Sequence, residues 1–191
     1  MQRSMLKLYY TPGACSLAPH IALEEAGDRF ALERVDLAAN QQNSPDFLRL
    51  NPKARVPVLT DGDWALTEAP AILRYIAARH PAAGLWPWDP REEARCAEWL
   101  GWLSSTIHVS AGHVRRAARY ASDARAVEDV AATGRNCANP LTWRRRRCAR
   151  RGFILSAIAR RSWGGRHGDE GHWARHSGRE RFVNYSQDLR V

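Results

Sequence analysis

The chain has little lysine, no close pair of cysteines and no long apolar run. Lys7 and Lys53 are the two lysines among 29 basic residues in a total of 191. Cys15, Cys96, Cys137 and Cys148 are too far apart for a C-x-x-C zinc or redox pair, so no metal is expected. With that spacing, in a chain that is neither small nor secreted-looking, a disulfide framework is not expected either. No stretch approaches the roughly 18 to 20 apolar residues that cross a bilayer. The opening "MQRSMLKLYY" shows neither the apolar centre nor the small-residue cleavage site of a secretory leader. The expectation is a cytoplasmic protein without a membrane segment.

The formal net charge of +9 invites a nucleic-acid reading, since clustered cations are the footprint of phosphate binding. Counted by segment, residues 1–135 hold 16 basic and 16 acidic side chains, whereas residues 136–191 hold 13 and 4. The body is neutral, and nucleic acid is not its expected partner.

Leu6, Leu8 and Tyr10 alternate with Lys7 and Tyr9, which predicts a short strand. "SLAPHIALEEAG" predicts a helix, with Ser16 at the N-cap and Gly27 as the stop. Residues 30–37 read as a second strand, "AANQQNS" as a polar, disordered-looking loop, and "PDFLRLNP" as a short helical or irregular piece. "RVPVLTDGDWALTE" predicts a hairpin turning at Asp61-Gly62. Ala69, Ile72, Leu73 and Ile76 form an amphipathic helix that ends before Pro81. Strand, helix, strand, helical piece, hairpin and helix make an α/β unit. The Pro- and Trp-rich "GLWPWDP" reads as a linker, and from Arg91 the pattern is helical only. The expected domains are 1–84, a linker at 85–90, a helical region at 91–135 and an atypical tail at 136–191.

Three places carry chemistry. Cys15 sits at a helix N-terminus, where unpaired N–H groups and the helix dipole favour the thiolate. Its alternative is a small buried hydrophobe. Val56-Pro57 puts a proline in a strand, which suggests an edge, a bulge or a cis bond, and an edge can pair with an extended peptide. A plain edge proline is the alternative. Glu68-Ala69 opens a helix whose N–H groups suit a carboxylate, with Glu68 an acceptor for an ammonium, or else an ordinary first-turn charge. Together they describe a site for a small thiol peptide.

"LKLYYTPGACSLAPHIALEEAG", "NPKARVPVL" and "LTEAPAILRYIA" closely resemble the thioredoxin-like domain of bacterial beta-class glutathione S-transferases. "AEWLGWLSSTIHVS" resembles the first helix of their all-α second domain, and the resemblance runs from about Met5 to Arg135. It implies a homodimer that binds glutathione as co-substrate and conjugates it to hydrophobic electrophiles, as in detoxification. It also implies roles for particular residues. Cys15 would lie beside the glutathione sulfur, Val56 and cis-Pro57 would hold the tripeptide backbone, and Glu68 and Ala69 the γ-glutamyl end. His108 matches a histidine that approaches the site from the helical domain, and Ser105, Thr106 and Asn40 fall among ligand-binding positions. Three departures weaken the expected affinity: Asn40 replaces a common lysine, Ala54 a common glycine and Gly101 a common asparagine. Ala18 stands where dithiol oxidoreductases have their second cysteine, so Cys15 would need an external thiol. Glutathione-dependent disulfide reduction through Cys15 is the alternative activity, and non-catalytic glutathione binding a third.

After Arg135 the family pattern stops. "RRRRCARR" and scattered Trp and His replace the leucine-rich helices, and the capping motif of a buried helix has no counterpart. The abrupt joint change in charge, leucine content and periodicity suggests out-of-frame translation of a GC-rich gene, with a basic arm or solvated tail as alternatives. Trp99, Leu100, Leu103 and Ile107 are then expected to be partly exposed, and the chain less stable than full-length relatives.

Overall fold

The computed structural model describes residues 4–138, which fall into two compact units, 4–83 and 84–138. The frameshift or basic-arm reading concerns residues that lie almost wholly outside the described ones.

In the first unit, strand β1 (Leu6–Tyr10) leads to helix α1 (Leu17–Ala26) and strand β2 (Phe30–Arg34). Helix α2 (Pro45–Leu50), the hairpin of β3 (Val58–Asp61) and β4 (Trp64–Thr67), and helix α3 (Ala69–Arg79) follow. β1 and β2 pair in parallel with Leu8 opposite Leu32, as a helix crossover allows. β3 runs antiparallel to β1 and β4 antiparallel to β3, giving the order β2-β1-β3-β4. This is the thioredoxin-like arrangement.

Strand alternation sorts the core into two layers. Leu6 and Leu8 share one face of the sheet with Tyr10, whose ring meets His20 of α1. Tyr9 points the other way and meets Phe47 of α2 edge-on, with ring centroids 6.1 Å apart. Val58 and Leu59 are neighbours in sequence and both fully buried, because both faces of the sheet are covered. Val58 joins Val35 and Phe47, while Ile72, Leu73 and Ile76 of α3 are buried in the helical layer beside α1. Each such side chain stabilises the fold by about 1.5–3 kcal/mol relative to leaving it in water.

Local chemistry departs from expectation at three points. Ser16 does occupy the N-cap of α1, yet its hydroxyl makes no cap bond. It bonds instead to both the N–H and the carbonyl of Thr11, each at 3.2 Å, closing the loop in front of the helix. The hairpin turns one residue later than expected: Asp61 pairs with Trp64, and Gly62 takes the positive φ of 60°. Asp61 is thereby freed to accept from Ser4, Tyr75 and Arg79, tying β3 to α3 and to the residues before β1. The segment read as a disordered loop is an ordered turn. Asp36 Oδ1 accepts from the N–H groups of Ala38 and Ala39, and a 3₁₀ turn spans Gln41–Asn43.

In the second unit, Asp89 caps helix α4 (Pro90–Trp102), accepting from Arg91 and Glu92 N–H at 3.1 Å, with Pro90 at the first helical position. In the segment 85–90, Leu85 and Trp86 are buried and the Trp86 indole donates to Glu93 of α4 at 3.0 Å. A π-helical turn (Leu103–Ile107) joins α4 to α5 (His108–Arg115) in one continuous path. Helix α6 (Ala124–Ala138) packs on α5 and continues past residue 135. Leu100 is buried, while Trp99, Leu103 and Ile107 are half-buried. Among the described residues, no helix is long and apolar enough to cross a membrane.

Candidate functional site

The loop from Thr11 to Ser16 fixes Cys15. Besides the Ser16 bonds, the Thr11 hydroxyl donates to the Val35 carbonyl at 2.6 Å, anchoring the loop to the residue after β2. Cys15 stands two residues before the first residue of α1 and is half-buried. Its Sγ lies 3.5 Å from the carbonyl oxygen of Val56, 41 residues away. Val56 precedes a cis proline, Pro57. Thus the loop before α1 and the loop before β3 meet at the cysteine.

Asn51, which sequence reading passed over, shapes the second loop. It is 1% exposed, and its side chain bonds through both its nitrogen and its oxygen. Nδ2 donates to the Arg55 carbonyl at 2.7 Å, and Oδ1 accepts from Lys53 N–H at 3.1 Å. The Asn51 carbonyl accepts from Ala54 N–H at 3.0 Å. Ala54 consequently holds φ 53°, a left-handed conformation that explains why glycine suits this position.

Glu68 sits at the N-cap of α3 with φ 71°, uncommon for a residue with a side chain. Its carboxylate does not cap the helix; it pairs with Lys53, whose Nζ also donates to Thr67 Oγ1 at 2.8 Å. Ala69 is the first helical residue. A carboxylate beside a helix N-terminus offers an acceptor for an ammonium and donors for a carboxylate within one short segment. Nothing local in the sequence marks Lys53, because its partner lies 15 residues further on.

Other expected site residues are placed differently. Asn40, at φ 60°, uses its side-chain oxygen within its own loop, accepting from Gln42 at 3.0 Å and from Asn43. Ser105 and Thr106 lie in the π turn of the second unit, their hydroxyl oxygens 3.5 Å apart. His108 follows as the first residue of α5 and is exposed, its N–H bonded to the Leu103 carbonyl. Ser104 bonds back to the Leu100 carbonyl at 2.7 Å, and π turns of this kind recur at functional sites. Gly101 opens into space, with no atom within 4 Å of an added Cβ.

Cys15 and Cys96 differ in chemistry. Burial, and then the charge of Glu93, push the Cys96 thiol up to about 11, which keeps it protonated and unreactive. Cys15 alone of the pair combines partial exposure with a polar neighbourhood. Among the described residues, no group of His, Cys, Asp and Glu is arranged to hold a metal ion.

Residues 4–78 match the family "Glutathione S-transferase, N-terminal domain". The glutathione S-transferase GST-4.5 of Xanthomonas campestris is 44% identical over 104 residues, which are 54% of this chain and 50% of that protein. The glutathione S-transferase GstA of Escherichia coli O157:H7 is 41% identical over 106 residues, 54% of this chain and 53% of that one. The chain thus spans about half the length of these relatives. Among solved structures, a glutathione transferase homologue from Sulfitobacter with bound glutathione superposes with a TM-score of 0.67 at 42% identity. That match covers 72% of this chain and 67% of the other.

Proposed function

The chain belongs to the glutathione S-transferase family, and from that membership we propose that it binds glutathione through its first unit and promotes conjugation to a hydrophobic electrophile. The observation that carries the reading is the meeting of Cys15 Sγ with the Val56 carbonyl at 3.5 Å, beside a cis proline. A half-buried thiol against the backbone of an extended segment is what a small thiol peptide requires. Val56 supplies main-chain partners, and Glu68 with the N-terminus of α3 suits the zwitterionic amino-acid end. The donor set fits the amino-acid end through Glu68 and the N-terminus of α3, and the extended backbone through Val56.

Glutathione, when bound, supplies the nucleophilic thiolate. Cys15 orients and polarises that sulfur's surroundings, and Val56 and Pro57 fix the peptide's extension. In this reading His108 is a catalytic group able to stabilise the thiolate or move a proton, and Ser105 and Thr106 are glutathione-binding residues. In this reading residues 1–84 are the glutathione-binding domain and 91–135 the start of the helical domain. The working form is a cytoplasmic homodimer acting in detoxification.

Native mass spectrometry of the purified chain with glutathione tests this, beside a Cys15→Ala variant. A dimer carrying about one glutathione per subunit is the expected result. A folded chain that takes up none overturns the reading. A second reading, glutathione-dependent disulfide reduction, rests on a cysteine, Cys15, rather than a serine or tyrosine standing at this position; with Ala18 in place of a resolving cysteine, glutathione would supply the second thiol. If Cys15→Ala keeps conjugation and loses reduction of a mixed disulfide, the thiol serves redox chemistry.

A further inference from the structure

The Lys53–Glu68 pair is unusual for this chain. Lys53 is one of only two lysines beside 27 arginines, and it is anchored both at its backbone and at its side-chain tip. At the backbone, its N–H donates to Oδ1 of the buried Asn51 at 3.1 Å. At the tip, Nζ donates to Thr67 Oγ1 at 2.8 Å and to Glu68 Oε1. Thr67 is the last residue of β4, so the ammonium is tied to a rigid strand end as well as to the carboxylate. The Glu68 carbonyl accepts from Ile72 N–H at 3.0 Å, but its side chain makes no capping bond to the helix that it precedes. Without Lys53, a long carboxylate side chain that is 67% exposed would sample many rotamers.

From this geometry we infer that Lys53 is a positioning residue: its ammonium orients the Glu68 carboxylate for the amino group of the bound peptide. One oxygen, Oε1, takes the lysine, and the second remains to accept from the incoming ammonium. The same short loop, held by Asn51, carries Val56 to Cys15 three residues later. This inference rests on the glutathione-binding reading above and assigns a role to a side chain outside the expected site.

Isothermal titration of the full chain tests it, with two ligands and three proteins. The ligands are glutathione and its des-amino analogue, in which hydrogen replaces the α-amino group. The proteins are the wild type, Lys53→Met and Lys53→Arg. Exposed ion pairs are worth up to about 1 kcal/mol, so Lys53→Met should weaken glutathione binding roughly two- to fivefold. It should leave the des-amino analogue unchanged, because that ligand makes no call on Glu68. Lys53→Arg, which keeps the positive charge, should bind glutathione within about twofold of the wild type. A purely structural role for Lys53 would weaken both ligands in parallel, and that result overturns the inference. So does a Lys53→Met protein that binds glutathione as the wild type does. If the folded wild type takes up neither ligand, the glutathione reading itself fails and this inference falls with it.

Discussion

The two units are built from different amounts of apolar material. The first buries Leu6, Leu8, Leu23, Leu59, Ile72, Leu73 and Ile76, each no more than 1% exposed. In the second, the buried apolar residues among the described ones are Leu85, Trp86, Cys96, Leu100 and Ala117, and the α5–α6 contact closes on a glycine, Gly134. The first unit is held by large side chains converging from two layers on a sheet. The second is held by helix caps, close approach of backbones and a few large residues near its start. Local stability follows buried apolar contact, so the sheet should open last and α5 and α6 first.

The largest test of that contrast lies in the first unit. Ile76 is fully buried, and Ile76→Ala should cost about 2–5 kcal/mol, read as a lowered denaturation midpoint with loss of amide protection throughout the sheet. A cost below 1 kcal/mol would show that this core is not what holds the unit.

Gly134→Ala probes the second unit. A Cβ there would stand 2.9 Å from the Ser110 carbonyl oxygen and 2.8 Å from His113 Cβ, closer than real Cβ atoms come. The expected cost is about 1–3 kcal/mol. Hydrogen exchange should quicken in α5 and α6 and stay unchanged in β1 and β3. Equal quickening in the sheet would mean that the two units open as one.

Asp61 gives a pH-dependent test of the first unit. Burial alone would raise its pKa, but bonds from Ser4 and Tyr75 and the Arg79 guanidinium outweigh burial and hold it below the ordinary aspartate value. A carboxyl with a depressed folded pKa stabilises the protein above its unfolded value and loses that contribution as pH falls through the folded one. The wild type should therefore exceed Asp61→Asn in stability by a constant margin above about pH 5, and the margin should close below about pH 4. Denaturation midpoints of both proteins across that range check it. A margin that does not change with pH would assign the difference to shape rather than charge.

The smallest effect is a gain. Ala54 pays the steric cost of a left-handed backbone at φ 53°, so Ala54→Gly should stabilise the first unit by a few tenths to about 1 kcal/mol. Thermal denaturation reads this directly. A loss of stability would show that the Ala54 methyl makes contacts worth more than the strain.

The sequence by itself determined the elements whose signals are local. The alternation in Leu6–Tyr10, the glycine stop at Gly27, the hairpin near Gly62 and the apolar stripe of α3 were all legible within a dozen residues. Cys15 stood out for its place before a helix and for the lack of a companion. What the tertiary structure decided depends on partners far apart in the chain. Ser16 looked like a cap because its type and position fit one, but the Thr11 backbone outcompetes the helix for its hydroxyl. Asp61 looked like a turn residue until α3 brought Tyr75 and Arg79 to it. The approach of Cys15 to Val56 and the hold of Lys53 on Glu68 arise only when β1, β3 and β4 align. Hydrogen bonds and ion pairs select partners by distance in space, and periodicity in a sequence records only which face each residue presents.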